Sequence, residues 1–308
     1  NPFPDMFFML PKVWIEFKQK KGTMKIHGEK KDILAVINRI KRIKKVKRRE
    51  KQNKQQKAAI KNIKSNFTKQ EYLHAISKAK EYVLAGDSFQ IKLSQRFSFD
   101  NKDNFNSMQA YENLRKINPS PYSAFAKLGN LEILSCSPEH LISRRKNSVN
   151  TTPIGGTYPY AKQQNKQEDK AITKKFLNDE KERAEHIMLI DLERNDLNKV
   201  CRAGTVKVDK KMQIEKYSHL AHMVTNIKGK LDKTKTTIDL MKAMFPGGTV
   251  TGCPKIRTMQ IINELEKTEG ESPFVSKFQS FLEAHYQKKV ERLAGEWPQK
   301  RSIEIDFH

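Results

Sequence analysis

Phe245-Pro-Gly-Gly-Thr-Val-Thr-Gly-Cys-Pro-Lys255 is the most informative stretch of this chain. Its glycines allow the backbone to approach a ligand closely, and Pro254 suits the first turn of the helix predicted to follow. The N-terminus of such a helix favours an anion, so a carboxylate or phosphate site fits. The spacing is not that of a P-loop, because GxxxxGK[ST] does not occur. Thr152-Pro-Ile-Gly-Gly-Thr157 predicts a second loop of similar character, although either stretch alone could be a plain turn.

Two glutamates predict a site for a divalent cation. Glu182 and Glu185 lie three residues apart in residues 170–200, which are predicted to be helical, so their carboxylates share one face. Such a pair can hold Mg²⁺, because hard divalent ions take oxygen ligands. An ordinary charged helix face is the alternative. The apolar run Ile187–Ile190 leads into Asp191–Asp196, which puts charges at the end of a buried helix, where they are costly unless paired.

Two histidines also lie three residues apart. His219 and His222 fall in residues 217–228, which the pattern predicts to be a helix. Either could act as a general acid or base near neutral pH. A helical histidine is more often structural, so spacing alone assigns neither of them a role.

The rest of the central region mixes helices and strands. Thr68-Lys69-Gln70-Glu71 has the spacing of a capping box and begins a helix that ends at Gly86. The alternation of Phe89–Phe97 predicts a strand, and Gly129-Asn130 predicts the turn of a hairpin. Further helices are predicted over 237–245 and 254–266, and a strand over 204–208. No βαβ rhythm appears, so the fold class is α+β.

The first 67 residues differ in composition. Val13–Phe17 predicts a strand, and an apolar start without Met predicts that the natural chain begins earlier. Residues 39–64 are strongly basic, and apolar residues recur every three positions over Ile37–Val46, which predicts a linker helix with a solvated face. The net charge of +25 alone points to nucleic acid or an anionic membrane. Much of the excess lies in this one run without aromatic residues, so a lysine-rich composition is favoured over a nucleic-acid surface.

Cysteine usage and hydropathy favour the cytoplasm. Cys136, Cys201 and Cys253 are far apart, which argues against a disulfide framework and a structural zinc site. No run approaches 18 apolar residues and no signal pattern appears, so no membrane partner is expected.

Together these segments resemble the chorismate-binding enzymes, which include component I of anthranilate synthase and of aminodeoxychorismate synthase, and the isochorismate and salicylate synthases. The resemblance covers about residues 68–268, in the family's order. The segments that carry it are Gly86–Phe97, Asn118–Tyr122, Ser137–Glu139, Pro153–Thr157, Asp179–Asp196, Tyr217–His222 and Phe245–Arg257. It implies an α+β sandwich of two large, mostly antiparallel sheets with outer helices.

The resemblance also implies roles for single residues. Glu185 matches the glutamate that ligates Mg²⁺, which binds the ring carboxylate of chorismate, and Glu182 matches a neighbouring catalytic glutamate. His222 matches a catalytic histidine near the departing C4 hydroxyl. Gln90 stands where isochorismate-type members have a lysine base, and because glutamine cannot deprotonate water, ammonia is the expected nucleophile. The implied substrate-binding residues are Gly156, Thr157, Thr249, Gly252 and Lys255.

The product is a finer question. Pro121-Tyr-Ser-Ala-Phe125 and Pro246–Lys255 look closer to aminodeoxychorismate synthases, which serve the para-aminobenzoate and folate branch. Some of those enzymes carry a lysine nucleophile where this chain has Gly155, so anthranilate synthase, which forms anthranilate and pyruvate, stays open. The implied cofactor is Mg²⁺, and the implied partners are chorismate and a glutamine amidotransferase subunit that delivers ammonia.

Three regions are expected along the chain. Residues 1–67 would be a remnant of the family's N-terminal part plus a basic linker, 68–270 the catalytic core, and 271–308 a divergent tail. That tail does not match the family's final strand, its IRT motif or its last helix, which supplies a second Mg²⁺ ligand. Instead, Phe274–Leu293 predicts an unrelated amphipathic helix. A truncated, non-catalytic remnant is therefore a second hypothesis, and a nucleic-acid-binding protein a third.

Overall fold

The computed structural model describes residues 9–18, 22–45, 62–100, 105–159, 166–216, 220–266 and 302–306. The described residues divide into two compact units, a larger one within 62–266 and a smaller one within 9–45 and 302–306. The predicted helix over 274–293 and the basic residues 46–61 lie outside the described residues.

Helices and antiparallel strands alternate irregularly along the chain, so the predicted α+β class is confirmed. The strands are β1 (Val13–Lys18), β2 (Thr23–Gly28), β3 (Lys64–Ser65), β4 (Gln90–Ile91), β5 (Phe97–Ser98), β6 (Tyr122–Leu128), β7 (Leu131–Ser137), β8 (His140–Arg145), β9 (Ser148–Thr152), β10 (Ile154–Pro159), β11 (Lys207–Lys216), β12 (Leu220–Lys230), β13 (Gly252–Cys253) and β14 (Ser302–Asp306). The helices are α1 (Lys30–Lys45), α2 (Lys69–Leu84), α3 (Ser107–Ile117), α4 (Lys166–Asn178), α5 (Glu180–Asn198), α6 (Thr237–Met244), α7 (Gly248–Thr251) and α8 (Lys255–Leu265).

The smaller unit is an antiparallel sheet in the order β1-β2-β14, packed against α1. Alternation along β2 buries Met24 and Ile26 against Ile33 of α1, and Ile37 and Ile40 pack on this cluster. The prediction of a linker helix is therefore wrong for the described residues, because the apolar stripe of α1 covers a sheet.

A five-stranded sheet around β12 organises the larger unit. β11 pairs along one side of β12, β10 and then β9 pair along the other, and β8 pairs with β9. Apolar residues of β9, β12, α5 and α6 form the core, including Val149, Ile190, Leu197, Ile227 and Met244. The β6–β7 hairpin, with its predicted turn, forms a separate two-stranded sheet against α3.

The helix predicted over 217–228 is wrong, because residues 220–230 form the central strand β12. Val224, Thr225 and Ile227 are β-branched and buried, and β-branched side chains suit a paired strand better than a helix. His222 therefore projects from a strand, and His219 lies outside the described residues.

Three other local predictions need correction. The strand predicted over Phe89–Phe97 is present only as β4 and β5, because each pairs with a partner of two residues, β13 and β3. The loop predicted over Thr152–Thr157 is the end of β9 and the start of β10, with a bulge between Gly155 and Thr157. The helical stretch 170–200 is interrupted at Asp179, whose side chain caps the start of α5.

Candidate functional site

A cavity of about 370 Å³ in the larger unit is lined by residues from β4, α5, β10, β12 and α7. The sequence-predicted residues that line it are Gln90, Gly156, Glu182, Glu185, His222 and Thr249. Its other lining residues are Lys92, Glu139, Ile154, Gly155 and Leu189. Segments far apart in sequence therefore meet at one cavity.

The start of α5 positions the two glutamates. The Asp179 side chain accepts a hydrogen bond of 3.0 Å from the backbone nitrogen of Glu182, which satisfies a donor of the first helical turn. Glu182 and Glu185 then follow on one helical face, and both line the cavity. Gly156 has φ +64°, and a Cβ atom there would lie 2.6 Å from Oε2 of Glu182. The bulged strand can therefore approach the carboxylate only with glycine at this position.

A short backbone pairing holds Gln90 in the cavity wall. Gln90 of β4 pairs with Cys253 of β13, and its Nε2 donates a hydrogen bond of 2.6 Å to Oε1 of Glu185. Gly252 has φ +134°, and any Cβ there would overlap the carbonyl oxygen of Gln90. Gly252 does not line the cavity and acts instead by letting the β13 backbone approach β4.

His222 faces the bulged strand. Its Nδ1 lies 3.0 Å from the carbonyl oxygen of Gly156, and because a carbonyl only accepts, Nδ1 carries the proton in this bond. Thr157 pairs with His222 across the two strands. The bond fixes the plane of the imidazole ring at the cavity wall.

Glu139 is a carboxyl group of the cavity to which sequence reasoning assigned no role. It follows β7, and its Oε1 accepts a hydrogen bond of 3.3 Å from the backbone nitrogen of Ile154. Burial raises the pKa of Glu139, while a hydrogen bond with Thr249, the bond from Ile154 and the charge of Lys92 oppose the rise. In the sequence, only its position in Ser137-Pro-Glu139, one of the segments that carry the family resemblance, indicated a functional role.

Lys255 lies outside this cavity. Its Nζ forms an ion pair with Asp196, whose side chain is fully buried, and donates to the carbonyl oxygens of Ala243 and Met244 at 3.4 and 3.2 Å. It lines a neighbouring groove of about 920 Å³, which shares Gln90 and Glu185 with the cavity. In the structure Lys255 therefore joins the start of α8 to groups of α5 and α6.

Two further ionisable residues are buried on α5. The Nε2 atom of His186 lies 2.7 Å from Oγ1 of Thr225 on β12, and burial lowers the pKa of His186 to about 4. The neutral imidazole ties α5 to the central strand. Glu193 is 2 % exposed, and burial raises its pKa to about 7, with Asp196 contributing and Lys255 opposing.

The cavity offers two carboxylates that could bind a hard cation such as Mg²⁺. Mg²⁺ is commonly held by one or two carboxylates, with water and substrate oxygens completing its shell. Glu182 and Glu185 supply such oxygens from one helix face. In the described ranges, no group of three or more His, Cys, Asp or Glu side chains could hold a metal. Glu182 and Glu185 could therefore hold a Mg²⁺ ion only together with oxygens from water or a substrate.

Comparisons with known proteins identify the relatives of this chain. A family model described as chorismate binding enzyme matches residues 1–270. An anthranilate synthase component I-like protein of Synechocystis is 47% identical over 205 residues, which cover 67% of this chain and 42% of that protein. Aminodeoxychorismate synthase component 1 of Bacillus subtilis is 46% identical over 202 residues, which cover 66% of this chain and 42% of that protein.

A solved structure shows the same fold. The chain matches the crystal structure of anthranilate synthase component I from Streptococcus pneumoniae with a TM-score of 0.67 and 32% identity, covering 82% of this chain and 57% of that one. The chain spans 42% of the length of the first two curated relatives. Among the described residues, no helix has the length and apolarity needed to cross a membrane. The match over residues 1–270 shows that the chain belongs to the chorismate binding enzyme family.

Proposed function

We propose that the protein is a synthase subunit that aminates chorismate with ammonia to give 4-amino-4-deoxychorismate, in the para-aminobenzoate and folate branch. One observation carries the choice of nucleophile. Gln90 lines the cavity and donates to Glu185, at the position where water-using members would need a lysine base. An amide has no basic nitrogen that could activate water, whereas ammonia is nucleophilic without a base.

The cavity offers a proton donor for the departing hydroxyl. Amination at C4 forms a C–N bond, breaks the C4–O bond, and releases water once the hydroxyl receives a proton. Burial raises the pKa of Glu139, so this carboxyl group keeps its proton to a higher pH than an exposed glutamate. His222, whose ring is fixed by Gly156, lies on the same cavity and can take up or return a proton.

We propose Mg²⁺ as the cofactor, held by Glu185. A bound Mg²⁺ neutralises carboxylate charge and polarises the oxygens that it binds. The hydrogen bond from Gln90 orients Glu185, and Glu182 supplies a second carboxylate one helical turn away. Chorismate is a dicarboxylate, so a cation is needed to offset the repulsion from these side chains.

Anthranilate synthase is the second candidate, and Gly155 favours it. A Cβ atom at Gly155 would lie 2.7 Å from Nδ1 of His186 and 3.1 Å from Cδ1 of Leu189. A lysine nucleophile, as carried there by some aminodeoxychorismate synthases, would displace both side chains. Relatives at 43 to 47% identity include enzymes named for each activity.

We propose a glutamine amidotransferase subunit as the partner that supplies ammonia. Relatives carry the name component 1, which indicates a further component. Ammonium salts can replace such a partner in an assay.

Product analysis tests the proposal. The purified chain would be incubated with chorismate, Mg²⁺ and ammonium at alkaline pH, which supplies free ammonia, and the products separated by chromatography. We expect aminodeoxychorismate without pyruvate, and none from the Glu185→Ala variant. Anthranilate with an equal amount of pyruvate would establish the second candidate instead. Neither product from a folded sample would contradict both.

A further inference from the structure

The short turn that carries Thr249 is packed directly on helix α5. Gly248 is buried, and any Cβ at this position would overlap Cδ2 of Leu192. The turn is closed internally by a hydrogen bond of 3.0 Å from Oγ1 of Thr251 to the carbonyl oxygen of Gly247. Gly247 precedes the first residue of α7 and has no side chain that could cap it. The first amide of the turn therefore depends on an acceptor from elsewhere in the fold.

Glu193 of α5 supplies that acceptor. Its Oε1 lies 3.2 Å from the backbone nitrogen of Gly248, which donates, and its Oε2 lies 3.4 Å from Oγ1 of Thr151 on β9. Glu193 is 2 % exposed and Thr151 is 1 % exposed. A carboxyl group in this position costs free energy unless it is bonded, and both of its oxygens have partners.

We propose that Glu193 is a positioning residue: its buried carboxyl group caps the first turn of α7 and so fixes Thr249 at the wall of the cavity. The side chain of Thr249 also faces Glu139, since it lowers the pKa of that carboxyl group. The turn thus lies between two carboxyl groups, one from α5 and one from the β7–β8 connection. The consequence for ligand binding rests on the proposed function, whereas the fixing of the turn does not.

The surroundings of Glu193 favour its neutral form. Burial is the largest effect, Asp196 and Glu139 add negative charge, and Lys255 of α8 and the amide of Gly248 oppose them. In the neutral acid one oxygen still accepts from Gly248, and the other can share its proton with Thr151. Glutamine has the same shape and keeps the acceptor, so Glu193→Gln imitates the protonated side chain.

Hydrogen exchange of backbone amides tests the proposal without any ligand. Exchange would be measured by mass spectrometry for wild type, Glu193→Ala, Glu193→Gln and Arg194→Ala. Arg194 is the next residue on the same helix and pairs at the surface with Asp191, so its variant is the matched control. We expect Glu193→Ala to speed exchange over residues 247–251 about tenfold, which corresponds to the net contribution of one hydrogen bond. Exchange over β12, which reports global opening, should be accelerated less than exchange over the turn, because the strand pairings are kept while Gly248 loses its direct acceptor.

The other variants separate positioning from general destabilisation. Glu193→Gln and Arg194→Ala should exchange like wild type over residues 247–251. Unchanged exchange of the turn in Glu193→Ala, or equal acceleration over the turn and β12, would overturn the proposal. Chorismate affinity, measured on the same samples, should fall about tenfold in Glu193→Ala only. If wild type binds no chorismate, the proposed function fails, while the exchange result still decides the role of Glu193.

Discussion

Nε2 of Gln90 donates a hydrogen bond of 2.6 Å to Oε1 of Glu185 at the wall of the cavity. The contact joins a two-residue strand to a helix that lies 95 positions further along the chain. It orients the carboxylate that we propose as the Mg²⁺ ligand. In our proposal it also places an amide at the position where a water-using enzyme would need a base. Both the proposed metal site and the proposed nucleophile thus depend on one contact.

Removal of this contact should weaken metal binding. In Gln90→Leu the carboxylate of Glu185 loses its donor, and loss of a partner that orients a metal ligand typically costs 10–100-fold in metal affinity or activity. We expect an increase of about that size in the Mg²⁺ concentration that gives half-maximal chorismate binding. Gln95→Leu is the matched control, because Gln95 donates to Ser65 at the surface. Equal Mg²⁺ dependence of both variants would refute the role of Gln90.

Alanine variants of two glycines with the same backbone angle distinguish the effect of backbone strain from the effect on the cavity. Gly156 and Gly129 both have φ +64°, but a Cβ would meet Glu182 and Phe176 at Gly156 and nothing within 4 Å at Gly129. Each alanine variant should lose about 1–2 kcal/mol of stability from the left-handed conformation. Only Gly156→Ala should displace Glu182 and also lower chorismate affinity. Equal affinities in the two variants, measured by titration, would show that Gly156 acts through the backbone alone.

The ion pair between Lys255 and Asp196 should matter for stability. Asp196 is fully buried and Lys255 nearly so, and removal of one partner of a buried pair typically costs about 3–5 kcal/mol. Lys199 pairs with the same carboxylate at 2.8 Å but is half exposed, so Lys199→Met should cost under about 1 kcal/mol. Urea unfolding of Lys255→Met and Lys199→Met measures both. Similar losses in the two variants would contradict the assignment.

Glu193 should make stability depend on pH. Burial raises its pKa to about 7 in the folded chain, against about 4.3 when unfolded, so the folded state holds an extra proton between these values. Its contribution is full below pH 4 and is lost as pH rises towards 7. We expect the unfolding free energy of Glu193→Gln, relative to wild type, to rise by about 2–3 kcal/mol from pH 5 to 8. A flat difference over this range would mean that Glu193 is ionised throughout.

Local chemistry made parts of the fold predictable. The capping box at Thr68 begins α2, and Gly129-Asn130 forms the hairpin turn, since each depends on a few neighbouring residues. The helix predicted over 217–228 is wrong, because pairing with strands on both sides decides the structure of residues 220–230. Such long-range pairing leaves little trace in a short window of sequence.

The cavity was predictable where motifs supply the side chains. Glu182 and Glu185 lie on one helix, and their shared face follows from the helical period. Glu139 and Glu193 were assigned no role, because their importance arises from burial by other segments. The role of Lys255 at the substrate stays a prediction, whereas its ion pair with Asp196, 59 residues away, could not be predicted because only the fold brings the two together. Roles that depend on tertiary contacts thus required the structure.

Titration of chorismate into the folded chain tests the central claim most directly. Isothermal calorimetry would compare wild type with and without Mg²⁺, Glu185→Ala, and Lys199→Met as a control outside the cavity. We predict saturable binding at one site, weakened at least about tenfold when Mg²⁺ or the Glu185 carboxylate is removed, and unchanged in Lys199→Met. Absence of binding by folded wild type, or binding insensitive to both Mg²⁺ and Glu185, would contradict the assignment of this cavity.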